Sequence, residues 1–132
     1  MPATARKLAL TVLPQSFVIC KLSADAPVPA WATRGKLFSI TRTSDELSVV
    51  AETDMFPENL RGGIAWRALR AHGPFAFSEV GVLAALVAPL AKAGISVFAL
   101  STFDTDYLFT GEEHLQPAVA ALRKAGHTVH EA

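Results

Sequence analysis

The spacing of apolar and polar residues changes character near residue 63. Before that point, short apolar stretches rich in β-branched residues predict four strands, at residues 6–13, 16–22, 37–41 and 47–51. Pro14 and Gln15 separate the first two stretches and indicate a tight connection between two strands. Residues 52–63 have no periodicity and end in two glycines, so the best internal boundary lies there.

After residue 63 the pattern becomes regular. It predicts a strand at 66–72, a helix at 79–93 ended by Gly94, strands at 95–100 and 107–110, a helix ending at Lys124, and a strand at 127–130. The order β-α-β-β-α-β is that of the ferredoxin-like plan, in which two helices cover one face of an antiparallel four-stranded sheet. The sequence therefore predicts an α+β fold.

The helix predicted at residues 79–93 is apolar around most of its circumference. A helix of this kind is buried on nearly all sides, and two helices on an open sheet cannot provide that cover. We therefore expect another part of the chain or a second subunit to cover it. Pro89 is expected to kink the helix, because proline supplies no N–H to the helical ladder.

The two halves of the chain also resemble each other weakly. Residues 38–50 and 98–110, at an offset of 60, each show a strand, a hydroxyl-rich turn with an acidic residue, and a second strand. A chance similarity is an alternative. If the repeat is real, the chain is a tandem of two subdomains, a reduced N-terminal copy at residues 1–63 and a fuller copy at 64–132.

Composition narrows the choice of partners. Twelve Lys and Arg residues balance twelve Asp and Glu residues, so the chain has no net positive charge that would attract nucleic acid or an anionic membrane. The charged fraction of 18% is below the roughly 25% usual in soluble domains, and mean hydropathy is +0.32. These values favour additional buried surface, and we expect a homodimer.

No segment predicts export or membrane insertion. The longest apolar run, residues 80–91, is well short of the roughly 20 residues that span a bilayer. The apolar patch near the N-terminus is too short for a signal peptide. Cys20 is the single cysteine, which excludes an intrachain disulfide and fits a reducing compartment. We expect a cytoplasmic protein.

Motifs for catalysis or metal binding are missing from the sequence. The four histidines lack zinc-ligand spacing and are expected at the surface, and Cys20 is expected to be a packed thiol. No nucleophile elbow, P-loop or dinucleotide-binding glycine pattern occurs. We therefore expect no enzyme activity, no catalytic residue, no metal and no cofactor.

Three segments resemble the ACT-domain family, in the branch that includes the CASTOR-type cytosolic arginine sensors and small bacterial proteins. They are residues 38–50, 75–86 and 94–107, and the most specific part is Ser101-Thr102-Phe103 with Thr105-Asp106-Tyr107. The resemblance extends over residues 8–130. It implies a regulatory module that binds an amino acid or similar small effector at an interface between paired domains or subunits, and it allows a protein target.

The resemblance also implies a set of ligand-binding residues between the two subdomains. These are Ser48, Val49, Gly81, Thr102, Phe103, Thr105 and Asp106, with Asp104 as the alternative match to Asp106. The N–H groups at the predicted helix start suit a carboxylate, and either aspartate could accept from an ammonium group. Three alternatives stay open: the turn residues simply cap a β-turn, the chain is a structural or protein-interaction module without a small ligand, or it is a small hydrolase or isomerase that depends on Asp104 and Asp106.

Overall fold

A computed structural model describes residues 6–131. The chain divides into two compact units: unit 2 is Gln15–Trp66, and unit 1 contains the residues up to Pro14 and from Arg67 onward. The strands are β1 Ala9–Leu22, β2 Phe38–Arg42, β3 Leu47–Glu52, β4 Trp66–Ala71, β5 Val97–Ser101, β6 Asp106–Gly111 and β7 Thr128–Glu131. The helices are α1 Val82–Lys92 and α2 Leu115–Lys124.

In unit 1, α1 and α2 share one core with the strands. Strand β1 lies next to β4, β4 next to β6, and β6 next to β5, while β7 pairs in parallel with Ala9–Val12 of β1. Apolar residues from both helices pack against Leu10, Leu69 and Leu108 of the strands. The predicted α+β, ferredoxin-like fold is confirmed, with the first part of β1 as an additional strand.

Unit 2 is built on an antiparallel ladder. Strand β3 pairs with β2 on one side and with residues 17–22 of β1 on the other. A short 3-10 turn at Ala30–Thr33 follows Pro29, and its Trp31 packs against Phe56 with ring centroids 4.6 Å apart. This turn helps to close the small core of the unit, because Trp31 and Ala32 both belong to it.

The prediction of two strands around Pro14 is wrong, because β1 runs without interruption from Ala9 to Leu22. The pairing with β7 ends at Val12, and the pairing with β3 begins at Phe17. Pro14 lies between these two ladders, so its missing N–H breaks neither of them.

The expectation that the apolar helix is buried on nearly all sides is also wrong within this chain. Helix α1 buries one stripe, Val82, Leu86 and Leu90, at a spacing of four residues. Leu83 and the alanines at 84, 88 and 91 are exposed. The helix also begins three residues later than predicted, because the loop before it is irregular.

The two hairpins β2–β3 and β5–β6 have the same register, but at an offset of 59 rather than the predicted 60. Phe38 faces Ala51 and Val97 faces Thr110, and both strand pairs are joined by four residues. This offset aligns the Thr-x-Asp turns 43–45 and 102–104. The first turn residue donates its N–H to the fourth residue's carbonyl at 2.9 Å in one hairpin and 2.8 Å in the other. The division into copies at residues 1–63 and 64–132 stays a prediction.

His127 departs from the expectation of surface histidines, since it is only 5% exposed. Its imidazole contacts two backbone groups of unit 1, which makes burial of this polar ring possible. Cys20 packs against the core of unit 2, and burial raises the pKa of its thiol. Within residues 6–131, no helix has the length and apolar character needed to cross a membrane.

Candidate ligand-binding cleft

A cleft of about 210 Å³ opens in unit 1 between the loop that precedes α1 and the turn that joins β5 to β6. Its walls are formed by Phe75, Ala76, Phe77, Glu79, Val82 and residues 101–106. The volume is below the roughly 300–1,000 Å³ of sites for drug-sized ligands. The size therefore suits a molecule no larger than a typical amino acid.

The turn at residues 102–105 is held by its own hydrogen bonds. The Thr102 N–H donates to the Thr105 carbonyl at 2.8 Å, and the Thr105 N–H donates back to the Thr102 hydroxyl at 3.2 Å. The Thr105 hydroxyl donates to the carbonyl of Ala71 at 2.7 Å, which ties the turn to the end of β4. These bonds use the threonine hydroxyls, so the turn presents a fixed wall.

The loop before α1 is fastened to this turn by backbone contact. The Phe75 N–H donates to the Asp104 carbonyl at 2.7 Å. A Cβ atom at Gly73 would lie 2.7 Å from the same carbonyl, so only glycine allows this approach. The two walls of the cleft are therefore positioned by a direct main-chain contact.

The two aspartates of the turn differ in their surroundings. The Ser101 hydroxyl donates to Asp106 Oδ1 at 2.6 Å, and these residues face each other across the β5–β6 ladder. The Asp104 carboxylate is exposed and makes no hydrogen bond or ion pair with residues 6–131. Asp104 therefore offers the less committed acceptor in the cleft.

Glu79 is held at the opposite wall. Its carboxylate lies 2.9 Å from the Arg6 guanidinium and accepts the Ala76 N–H at 2.7 Å. The bond from Arg6 is the main cause that lowers the pKa of Glu79, and the Ala76 N–H adds to it. Arg6 also lies 6.0 Å from the centre of the Phe75 ring, a cation–π distance.

An aromatic pair forms the rim of the cleft. Phe77 and Phe103 are each 76% exposed, and their rings meet edge to face at 4.8 Å. Phe77 belongs to the loop before α1 and Phe103 to the turn, so the pair joins the two walls on the solvent side.

Helix α1 begins at this cleft without a side-chain cap. Gly81 occupies the capping position with φ of 81°, the left-handed region that favours glycine. The Ala85 N–H donates to the Gly81 carbonyl at 2.9 Å, and Val82 of the first turn lines the cleft. The first N–H groups of a helix have no partner within the helix and attract negative charge.

Comparison with known proteins identifies the larger group to which the chain belongs. A family model described as the ACT domain matches residues 63–124, and an N-terminal domain family model matches residues 15–59. A protein of Agobacterium tumefaciens with an X-ray structure is 39% identical, with a TM-score of 0.90 over 97% of this chain and 96% of its own. The chain belongs to the ACT-domain family.

The curated relatives that the chain matches are longer proteins. The "Cytosolic arginine sensor for mTORC1 subunit 1" of Pongo abelii is 30% identical over 93% of this chain. This chain spans 40% of that relative's length. A crystal structure of aspartokinase alpha and beta subunits, 17% identical with a TM-score of 0.59 over 89% of this chain and 96% of its own, shares the fold. The ACT-domain match and the arginine-sensor relative support, in general terms, a regulatory module for amino-acid sensing.

The structure brings together most of the predicted site residues of this ACT-domain chain. Thr102, Phe103, Asp104, Thr105 and Asp106 all line the cleft. Gly81 stands at the adjoining start of α1. Ser48 is half-buried on β3 of unit 2, and Val49 beside it is fully buried in the core of that unit. A ligand role for these eight residues stays a prediction.

Three residues at the cleft are not predicted by the sequence pattern. Phe75 and Phe77 line the cleft and lie within a segment that resembles the family, but the resemblance implies no ligand role for them. Arg6 is 73 residues from Glu79 in sequence, so no local pattern could reveal their ion pair. Two aromatic residues in a segment bounded by Gly73 and Gly81 were the available signal.

Proposed function

We propose that this chain is a non-catalytic regulatory module that binds a small effector, most simply an amino acid, in the cleft of unit 1. The observation that carries the proposal is that two features adjoin one small cavity: Asp104, whose carboxylate has no partner among residues 6–131, and the start of α1, which has no side-chain cap. An amino acid needs an acceptor for its ammonium group and donors for its carboxylate. Both are available here within one cleft.

The ammonium end has two possible acceptors. Asp104 is the preferred one, because its carboxylate has no partner among residues 6–131, whereas Asp106 already accepts the Ser101 hydroxyl. A hydrogen bond to a charged group contributes about 1.5–3 kcal/mol, so loss of the acceptor should weaken binding about tenfold or more.

The carboxylate end is proposed to meet the N–H groups of the first turn of α1. Gly81 leaves the backbone there open, since no atom lies within 4 Å of the position that a Cβ would occupy. Glu79 would repel a carboxylate at this place, but its charge is partly compensated by the ion pair with Arg6.

The direct test is a melting screen of the full chain against each proteinogenic amino acid and a set of nucleotides. A ligand that binds only the native state adds about 2.7 kcal/mol at 100 times its Kd. We expect at least one amino acid to raise Tm. Asp104→Asn should weaken that ligand about tenfold, and Asp106→Asn should weaken it less. No shift with any compound would refute the proposal.

Asp45 provides a matched control for this test. It occupies the position in the β2–β3 turn that Asp104 occupies in the β5–β6 turn, and it is likewise exposed. Asp45→Asn should leave both ligand affinity and Tm unchanged. An equal effect of Asp45→Asn and Asp104→Asn would show that the changes report general charge rather than a contact in the cleft.

A second candidate function is an assembly module, in which contacts with another copy or a protein target matter more than a ligand. The exposed apolar residues of α1, Leu83 with the alanines at 84, 88 and 91, favour it. We propose a homodimer, for which light scattering at micromolar concentration should report twice the 14.0 kDa chain mass. A 14.0 kDa particle would contradict the dimer.

A further inference from the structure

A second cavity of about 310 Å³ lies on unit 1 beside the proposed effector cleft. It is lined by Arg70, Gly73, Pro74, Thr102, Asp104, Thr105 and Tyr107. Three of these residues, Thr102, Asp104 and Thr105, line both cavities, while Arg70 and Tyr107 line only this one. The turn at residues 102–105 is thus a shared wall, and we call the second cavity the Arg70 groove.

Arg70 is unusual among the arginines of this chain. It is half-buried, yet its guanidinium makes no hydrogen bond or ion pair with residues 6–131. The other half-buried arginines have partners: Arg6 pairs with Glu79, and Arg67 donates to the Leu13 carbonyl at 2.9 Å. A guanidinium has five N–H donors, so Arg70 brings a full unused set to the groove.

Tyr107 adds a second unused donor. Its side chain is half-buried, and its hydroxyl has no partner among residues 6–131. The hydroxyls of Thr102 and Thr105, in contrast, already donate to backbone carbonyls. The side-chain donors of the groove that have no partner among residues 6–131 are therefore the guanidinium of Arg70 and the hydroxyl of Tyr107.

A pair of stacked histidines adjoins the end of β4, the strand that carries Arg70. His72 follows β4 two residues after Arg70, and its ring stacks on that of His130 with centroids 5.5 Å apart and planes 6° from parallel. The neighbouring acid is Asp104, which lines the groove but lies beyond ion-pair distance of Arg70. Because Arg70 makes no ion pair with Asp104, its guanidinium can bind an anion from solution.

We propose that the Arg70 groove is a second binding site, which takes the oxyanion of a small carboxylate or phosphate ligand. The planar fork of Arg70 matches two oxygens of such a group, and the Tyr107 hydroxyl donates to one of them. This site goes beyond the effector cleft, because it uses different donors and needs no amino acid. Asp104 disfavours a second negative charge, so a carboxylate is preferred to a phosphate dianion.

The test uses the full chain labelled with ¹⁵N and titrated with sodium propionate or sodium phosphate in place of chloride, at constant ionic strength and without amino acids. We expect saturable shifts of the backbone signals of Gly73, Thr102, Thr105 and Tyr107, with tighter binding of propionate. Tighter binding of phosphate would assign the groove to phosphate ligands and overturn the carboxylate preference. Shifts that do not saturate, or that spread over the surface, would overturn the site.

Variants of Arg70 distinguish anion binding in the groove from a general effect of positive charge. Arg70→Gln should weaken both anions at least tenfold, and Arg70→Lys should weaken them by a smaller factor because it keeps the charge and loses the fork. Arg34→Gln removes an exposed arginine of unit 2 and should change nothing. Equal affinities in wild type and Arg70→Gln would overturn the proposal. If Arg70→Gln does not fold, Arg70→Lys and the wild-type shift map decide.

The shared turn predicts coupling between the two cavities. An anion in the Arg70 groove should change the affinity of the effector cleft, and the effector should change anion affinity by the same factor. Asp104→Asn should weaken the amino acid but strengthen phosphate several-fold. Because the anion titration needs no effector, failure of the amino-acid screen leaves this test intact, and the reverse is also true.

Discussion

The imidazole Nε2 of His127 lies 2.9 Å from the carbonyl oxygen of Ala85, in the middle of α1. That carbonyl would normally accept the N–H of residue 89, but residue 89 is proline and has none. His127 Nδ1 accepts the Leu8 N–H at 3.0 Å, so Nε2 carries the proton and donates to Ala85. A buried histidine thus replaces the helical hydrogen bond that Pro89 removes.

Replacement of His127 by phenylalanine should therefore destabilise the fold. His127→Phe keeps most of the ring volume but leaves the Leu8 N–H and the Ala85 carbonyl without this partner. Each unsatisfied buried group costs about 1–3 kcal/mol, so we expect a loss of about 2–3 kcal/mol in the free energy of unfolding. Urea denaturation monitored by circular dichroism measures it.

A double-mutant cycle tests the link to Pro89. Pro89→Ala restores an N–H that can serve Ala85, so His127→Phe should cost about 1 kcal/mol less in that background. His114 is exposed, and His114→Phe should change stability by no more than about 0.5 kcal/mol. Additive effects of His127→Phe and Pro89→Ala would show that the histidine does not compensate for the proline.

Substitutions at Gly81 and Gly63 separate the effect of backbone strain on stability from the effect of a side chain on ligand binding. The φ of 81° at Gly81 should make Gly81→Ala cost about 1 kcal/mol of stability. Gly63 has φ of 90°, also has nothing within 4 Å, and lies outside the cleft, so Gly63→Ala should cost a similar amount.

Effector binding should distinguish the two glycines. Gly81→Ala should weaken the effector several-fold, and Gly81→Val should weaken it more, because a side chain there meets no protein atom but enters the space of a bound ligand. Gly63→Ala should leave affinity unchanged. Isothermal titration calorimetry with the amino acid found in the screen measures the affinity of each variant. Unchanged affinity in Gly81→Val would remove the helix start from the site.

Periodicity predicted the regular elements of unit 1 well. In α2, Leu115, Ala118, Val119 and Leu122 are buried as the helical spacing indicates. The wrong predictions concern residues whose structure depends on partners that are distant in sequence. Pro14 signalled a turn, but its position between two ladders allows a continuous strand. His127 was expected at the surface because its acceptor, Ala85, lies 42 residues away in sequence.

The candidate site was predicted in part for the same reason. The residues of the 102–105 turn are local in sequence, so their hydroxyl and acidic character was visible together with the family resemblance. The opposite wall depends on contacts between distant segments, such as Phe75 with Asp104 and Arg6 with Glu79. No periodic pattern marks such contacts, which explains why only Gly81 of that wall was predicted.

The ion pair between Arg6 and Glu79 should control the charge at the start of α1. Because the bond from Arg6 is the main cause that lowers the pKa of Glu79, Arg6→Gln should raise that pKa towards its ordinary value. A ¹³C NMR titration of the Glu79 carboxyl measures the change directly. A pKa of Glu79 that is the same with and without Arg6 would show that the pair does not persist in solution.

The same pair should influence effector affinity. Glu79→Gln removes a negative charge from the wall where the effector carboxylate is proposed to bind, so affinity should rise several-fold at low salt and less at high salt. Glu113→Gln removes an exposed charge outside the cleft and should have no effect. A weaker effector in Glu79→Gln would mean that Glu79 binds the ligand rather than repels it.

His72, which stacks on His130, should make stability depend on pH. Burial is the main cause that lowers the pKa of His72, and the charges of Arg70 and His130 lower it further; the Thr11 hydroxyl lies 2.6 Å from Nε2. Below about pH 6.5, the unfolded chain binds the proton more readily than the folded chain. Stability present above pH 6.5 is therefore lost as the pH falls through the lowered pKa.

Melting curves at pH 7.5 and pH 5 test this contribution. His72→Gln should show a smaller fall in Tm between the two values than wild type, by about 1–2 °C, because this half-buried group is partly screened by solvent. His114→Gln changes an exposed histidine outside the cluster and should keep the wild-type difference. The assignment to His72 would be wrong if His72→Gln lost as much stability on acidification as wild type. A larger loss in the variant would reverse the sign of the effect, which only a raised pKa in the folded chain could produce.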